Sequence, residues 1–74
     1  MAAPTTKQVE IVVNGQVRSA PEGSTLRQLL VWLEVNPERV AVELNRSIVQ
    51  RQAWDQVVVG AGAALEIVQF VGGG

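Results

Sequence analysis

The chain has 74 residues, 47% of them hydrophobic and 18% charged, a formal net charge of −1, and neither cysteine nor histidine. A chain of this length makes one domain, buries only about 60% of its unfolded surface, and must hold its core by packing alone, without disulfides. The same inventory excludes nucleophile–base pairs built on thiolate or imidazole, thiolate metal sites, and the clustered basic surface that holds nucleic acid or an anionic membrane.

Residues 1–7, which include Ala2, Ala3, Pro4, Thr5 and Thr6, carry no apolar period and are expected to be a disordered leader, with the folded domain over 8–70. Over 9–13, Val9, Ile11 and Val13 alternate with Glu10 and Val12, which predicts a strand with the first three on one face. Asn14-Gly15 then supplies two positive-φ positions for a type I′ turn, and Gln16, Val17 and Arg18 return as a second strand. Pro21, Gly23 and Ser24 interrupt it. Thr25 followed by Gln28 has the form of a capping box, with Ser24 as the alternative cap. Leu26, Leu29, Leu30 and Leu33 fall at i, i+3, i+4 and i+7, the stripe of a helix of about ten residues that Asn36-Pro37 ends.

Val40, Val42 and Leu44 alternate with Ala41 and Glu43 as a third strand, and Asn45-Arg46 turns the chain toward a short apolar piece at Ile48-Val49. Residues 50–56, around Trp54, read as a single helical turn. Gly60-Ala61-Gly62 is a loop, and a last strand over 64–70 puts Leu65 and Ile67 on one face and Glu66, Val68 and Phe70 on the other. Strand, hairpin, strand, helix and further strands give an α+β domain in which a mixed sheet packs one face on one main helix. That element order is the order of a ubiquitin-like β-grasp.

Most chemistry-bearing residues here have structural readings. Ser19, Ser24 and Ser47 lack a base to activate them and read as strand, cap and turn residues. Glu10, Glu22, Glu34, Glu38, Glu43, Asp55 and Glu66 are spaced singly, so a metal site is not expected. Gly60-Ala61-Gly62 resembles half of a dinucleotide-binding fingerprint, but Leu65 stands at its sixth position and a strand follows where a phosphate-capping helix is needed. Trp32 and Trp54 read as packing residues. The longest apolar runs, such as Val57-Val58-Val59, fall far short of the roughly 20 residues that cross a bilayer, and a cytoplasmic protein is expected.

The carboxyl end differs from the rest, because a strand that a sheet should pair runs directly into Val71-Gly72-Gly73-Gly74. Glycine lacks a Cβ, so such a flexible tail can thread an opening that larger residues would block. Four residues reach at most about 13–14 Å, enough to put the Gly74 carboxylate inside another protein's active site. The alternative is a disordered end without a role. The face opposite the helix, with Val12, Val68 and Phe70 and with Val71 beside them, is the candidate partner-binding surface.

The run Leu65-Glu66-Ile67-Val68-Gln69-Phe70-Val71-Gly72-Gly73-Gly74 resembles the end of the thiamin sulfur carriers, the ThiS family. Val40-Ala41-Val42-Glu43-Leu44-Asn45, Ile48-Val49 and Arg51 with Trp54 resemble its middle, and Asn14-Gly15 with the cap and helix start over 24–30 resembles its beginning. Ala63-Ala64 departs from the polar or acidic turn usual there. The resemblance implies a sulfur carrier for thiazole formation that binds no cofactor itself. A ThiF-like adenylyltransferase would spend ATP to adenylate the carboxylate of Gly74, a persulfide donor enzyme would supply sulfur to make a thiocarboxylate, and a ThiG-like thiazole synthase would consume it. Gly72 and Gly73 would form the leash. Carriers of the same fold for molybdopterin synthesis or tRNA thiolation, and a non-covalent ubiquitin-like module, are the competing readings.

Overall fold

The computed structural model describes residues 7–70. The first two strands, β1 (Gln8–Val13) and β2 (Gln16–Pro21), form the expected hairpin, with Val13 opposite Gln16 and Gln8 opposite Pro21. Asn14 (φ 50°) and Gly15 (φ 83°) supply its two left-handed positions. The second strand outruns its sequence reading and ends on Pro21, a position where a proline's missing N–H breaks no ladder. The Glu22 amide takes up the pairing instead, donating to the Lys7 carbonyl at 2.7 Å.

Helix α1 (Leu26–Trp32) begins as the Thr25 pattern predicts. The Thr25 hydroxyl accepts from the Gln28 amide at 3.2 Å and the Gln28 side chain accepts from the Thr25 amide at 3.0 Å, which satisfies two of the helix's free donors. Ser24 is not the cap, since its hydroxyl donates to the Pro21 carbonyl. The helix is shorter than its apolar stripe suggests, at seven residues, and stops before Asn36-Pro37. Leu33 is its C-cap and Glu34 follows with φ 63°. The Glu34 amide donates to Val31 and the Val35 amide reaches back to Leu30, each at 3.0 Å. This is a Schellman closure with glutamate at the left-handed position that glycine normally fills. Glu34→Gly is therefore expected to raise stability by about 0.5–1 kcal/mol, the left-handed penalty less the extra entropy of an unfolded glycine. A higher melting temperature by calorimetry is the expected reading; a lower one would show that the Glu34 side chain holds the turn.

Asn36, placed beyond the helix, caps a 3₁₀ turn (Pro37–Arg39) by accepting from the Glu38 amide at 2.9 Å. Strands β3 (Val40–Leu44) and β4 (Ser47–Val49) form a second hairpin, around Asn45 (φ 50°) and Arg46 (φ 72°). A 3₁₀ turn (Arg51–Ala53) and the loop through Gly62 lead to β5 (Ala64–Gln69). Ala63, the departure from the family pattern, is buried, and its carbonyl accepts from the Val12 amide at 2.8 Å.

The five strands lie in the order β2-β1-β5-β3-β4, with β5 central, parallel to β1 and antiparallel to β3. This is the mixed, helix-covered sheet of a β-grasp. Between sheet and helix sit Ile11, Val13, Val40, Val42 and Leu65 from the strands and Leu26, Leu29 and Leu30 from the helix. Each fully buried leucine or isoleucine contributes about 1.5–3 kcal/mol of transfer free energy. Trp54 closes the far end of this core at 1% exposure, and its indole N–H donates to the Val49 carbonyl at 2.9 Å. Trp32 differs from its packing assignment. It is 44% exposed, with the Arg18 guanidinium 6.0 Å from its ring centre. Among the described residues no helix is long and apolar enough to cross a membrane.

Candidate functional site

Strand β5 is where the fold and the carboxyl end meet. Its ladder with β3 runs from Leu44 opposite Leu65 to Val40 opposite Gln69, and the Phe70 amide continues it by donating to the Arg39 carbonyl at 2.8 Å. Alternation along β5 turns Leu65 and Ile67 toward the helix and Glu66, Val68 and Phe70 to the open face, as the sequence predicts. Among the expected site residues, Val68 and Phe70 lie together at the tail end of this face, with Phe70 55% exposed. Val12 shares the face but not the neighbourhood. It pairs with Ala64, four residues back along β5, so about 13 Å of strand separates it from Val68. Val71, Gly72, Gly73 and Gly74 lie outside the described residues.

Register adds residues that sequence reasoning passed over. Ala41 lies opposite Val68, and Ile48, 72% exposed, lies opposite Glu43. Glu43 in turn lies opposite Glu66, so the middle of the open face carries two carboxylates on directly paired positions. Among the described residues the ion pairs are Arg27 with Asp55 at 2.7 Å and Arg51 with Glu38 at 3.3 Å, and neither involves this row. Like charges directly opposite on a sheet repel, so this row lowers the stability of the isolated domain. The open face is thus an apolar patch of Val68, Phe70 and Ala41 at the tail end, a row in which Ile48 flanks the Glu43–Glu66 pair, and a second apolar patch of Val12, Val17 and Ala64. Strand alternation already pointed Ala41 and Glu43 outward; which residues they face became visible only with the register.

On its other edge, β5 is held by a residue read from the sequence only as a turn former. The Asn14 backbone amide donates to Leu65 at 2.8 Å. Its side-chain Oδ1 accepts from the Ile67 amide at 2.7 Å, and its Nδ2 donates to the Ile67 carbonyl at 3.2 Å. Asn45, at the same place in the second hairpin, grips the start of the strand: its Oδ1 accepts from the Ala64 amide at 3.0 Å and its own amide donates to the Ala64 carbonyl at 2.7 Å.

Among the described residues no group of three or more acidic side chains is placed to hold a metal ion. Two open clefts flank the sheet among the described residues. One lies between β3, β4 and Trp54 and reaches Phe70; the other lies beside the end of β5, between Arg18, Glu34 and Gln69. What the arrangement presents chemically is a surface and a strand end.

Comparison with known proteins agrees with that geometry. A profile of the ThiS family matches residues 7–74. The sulfur carrier protein ThiS of Escherichia coli is 30% identical over 66 residues, which are 89% of this chain and all of that one. A crystal structure of the thiamine biosynthesis protein ThiS from Geobacter metallireducens superposes with a TM-score of 0.79 at 36% identity, covering 89% of this chain and all of that chain. Thiazole synthase of Magnetococcus marinus is 41% identical over 66 residues, which are 89% of this chain but 20% of that protein. The chain spans about a fifth of the length of the thiazole synthases that it matches. With nearly its whole length matched by the family profile, and with the five-stranded fold shared with a solved member, the chain belongs to the ThiS family.

Proposed function

We propose that the protein is a sulfur carrier for thiazole formation in thiamin biosynthesis, acting as a cosubstrate and not as an enzyme. The observation that carries this reading is the position of β5: the central strand of the sheet leads in sequence into Val71-Gly72-Gly73-Gly74, in a family whose E. coli member is named a sulfur carrier. The Gly74 carboxylate is ionised at neutral pH and is a poor electrophile. An ATP-dependent adenylyltransferase of the ThiF kind converts it to an acyl adenylate with release of pyrophosphate. The outer sulfur of a persulfide donor enzyme displaces AMP to give an acyl disulfide, a thiol reduces that disulfide to free the thiocarboxylate, and thiazole synthase takes up that sulfur. A stretch similar to this chain makes up a fifth of proteins named thiazole synthase, which supports that enzyme as the acceptor. The chain contributes no histidine or cysteine to these steps, so the catalytic groups and the ATP site belong to the partners. A reducing, ATP-supplied cytoplasm suits this chemistry.

Docking falls to the open face of the sheet. Val68 and Phe70 lie at the tail end of that face and Val71 follows them in sequence; Ile48 borders the same cleft as Phe70, and Val12 extends the contact past the acidic row. Phe70→Asp is expected to weaken binding to the adenylyltransferase by about 30-fold, the scale of losing one aromatic anchor. The melting temperature should stay nearly unchanged, because the ring is more exposed than buried. Isothermal titration with the enzyme checks this, and unchanged affinity would remove the face from the account. For the function itself, intact mass spectrometry after incubation with ATP, the adenylyltransferase and a persulfide donor should show one oxygen replaced by one sulfur at the terminal residue.

A further inference from the structure

The two edges of β5 are completed differently. On the β3 side, backbone pairing continues through Phe70. On the β1 side, the backbone ladder covers only Val12 with Ala64 and Val13 with Leu65, because β1 turns away at Asn14-Gly15. The next residue of β5 whose amide and carbonyl face that side is Ile67, and both are taken by the Asn14 side chain, 53 positions away in sequence. A carboxamide carries the same donor and acceptor as a peptide group. Beyond Ile67, Gln69 borders the open cleft beside Arg18 and Glu34.

We propose that Asn14 is a positioning residue for the carboxyl-terminal tail: its carboxamide substitutes for the next peptide of β1, fastens Ile67 on the edge that β1 leaves, and thereby sets the direction in which the strand end at Phe70 points. This rests on the reading of Gly74 as the reacting end. A strand paired on one edge twists and frays about that edge. Over the reach of four residues, a swing of about 20° displaces the end by about 5 Å. Ordering even one loosened residue when the tail enters the enzyme is about a tenfold term in rate. The docking face is untouched by any of this.

The test compares the unaltered chain with Asn14→Gly and Asn14→Asp. Glycine accepts the positive φ of a type I′ turn, so Asn14→Gly keeps the hairpin and deletes both side-chain bonds. Aspartate keeps the acceptor for the Ile67 amide and loses the donor. Amide hydrogen exchange at Ile67 should speed up at least about tenfold in Asn14→Gly relative to Val42 in the core, and stay slow in Asn14→Asp. In steady-state adenylation, Asn14→Gly should lower kcat about tenfold with KM within twofold, and Asn14→Asp should recover most of kcat. Unchanged exchange at Ile67, a loosened Ile67 with unchanged kcat, or a rise confined to KM would each overturn the proposal. If the unaltered chain accepts no adenylate, the carrier reading fails, while Ile67 exchange still decides whether Asn14 holds the strand end.

Discussion

Removing Gly74 is expected to abolish thiocarboxylate formation and to leave thermal stability unchanged. The shortened chain still ends in a glycine carboxylate, so the chemistry of the group survives and only its reach is lost. One residue of extended chain is about 3.3–3.6 Å. A displacement of about 1 Å at a reacting centre can cost a factor of roughly 100, so retraction by a whole residue puts the carboxylate out of range of the nucleotide. Stability should not follow, because the core and the ladder through Phe70, whose amide donates to Arg39, are complete without Gly74 four residues further on. A thermal melt and an intact mass spectrum of the same preparation check both halves. Loss of sulfur transfer together with loss of fold would mean that the terminal residue is structural.

Trp54→Ala is the opposite case, with a large effect on stability. Trp54 is the largest fully buried side chain, at 1% exposure. Its indole N–H satisfies the Val49 carbonyl at 2.9 Å, and its own carbonyl accepts from the Arg27 amide at 3.3 Å. It therefore ties the edge strand β4 to the helix across a segment with little regular structure. Replacing a buried tryptophan with alanine costs about 3–5 kcal/mol, most of the stability of a domain this small. The melting temperature should fall by about 12 °C or more, followed by circular dichroism. Trp32→Ala serves as the control. Trp32 is 44% exposed and loses mainly its contact with Arg18, so a change within about 1 kcal/mol is expected. A small effect at Trp54 would mean that the core does not extend under residues 50–56.

These two outcomes differ in how far the sequence foretold them. Asn14-Gly15, the Thr25–Gln28 box and the leucine stripe are local patterns, written within a few residues, and the structure reproduces them. The early end of the helix was hidden because glutamate at position 34 gives no left-handed signal where glycine would. Trp54 sits in a stretch without period, so its burial is set by what packs on it from the helix and β4. The pairing of Glu43 with Glu66, and the grip of Asn14 on Ile67, join positions far apart in the chain, and no local pattern encodes a register. The same holds for the candidate site. The glycine ending was legible by itself, the outward alternation of Val68 and Phe70 was legible from the strand, and the separation of Val12 from them was not.

The central claim is that the Gly74 carboxyl group is itself the chemical handle. It is tested most directly by preparing the chain with that carboxyl converted to a primary amide and comparing it with the unmodified chain in thiazole formation, with the adenylyltransferase, ATP, the persulfide donor and thiazole synthase all present. An amide keeps the fold, the docking face and the full reach of the tail, and removes only the nucleophilic oxygen. The account predicts sulfur transfer from the unmodified chain and none from the amide; equal transfer from both would contradict it.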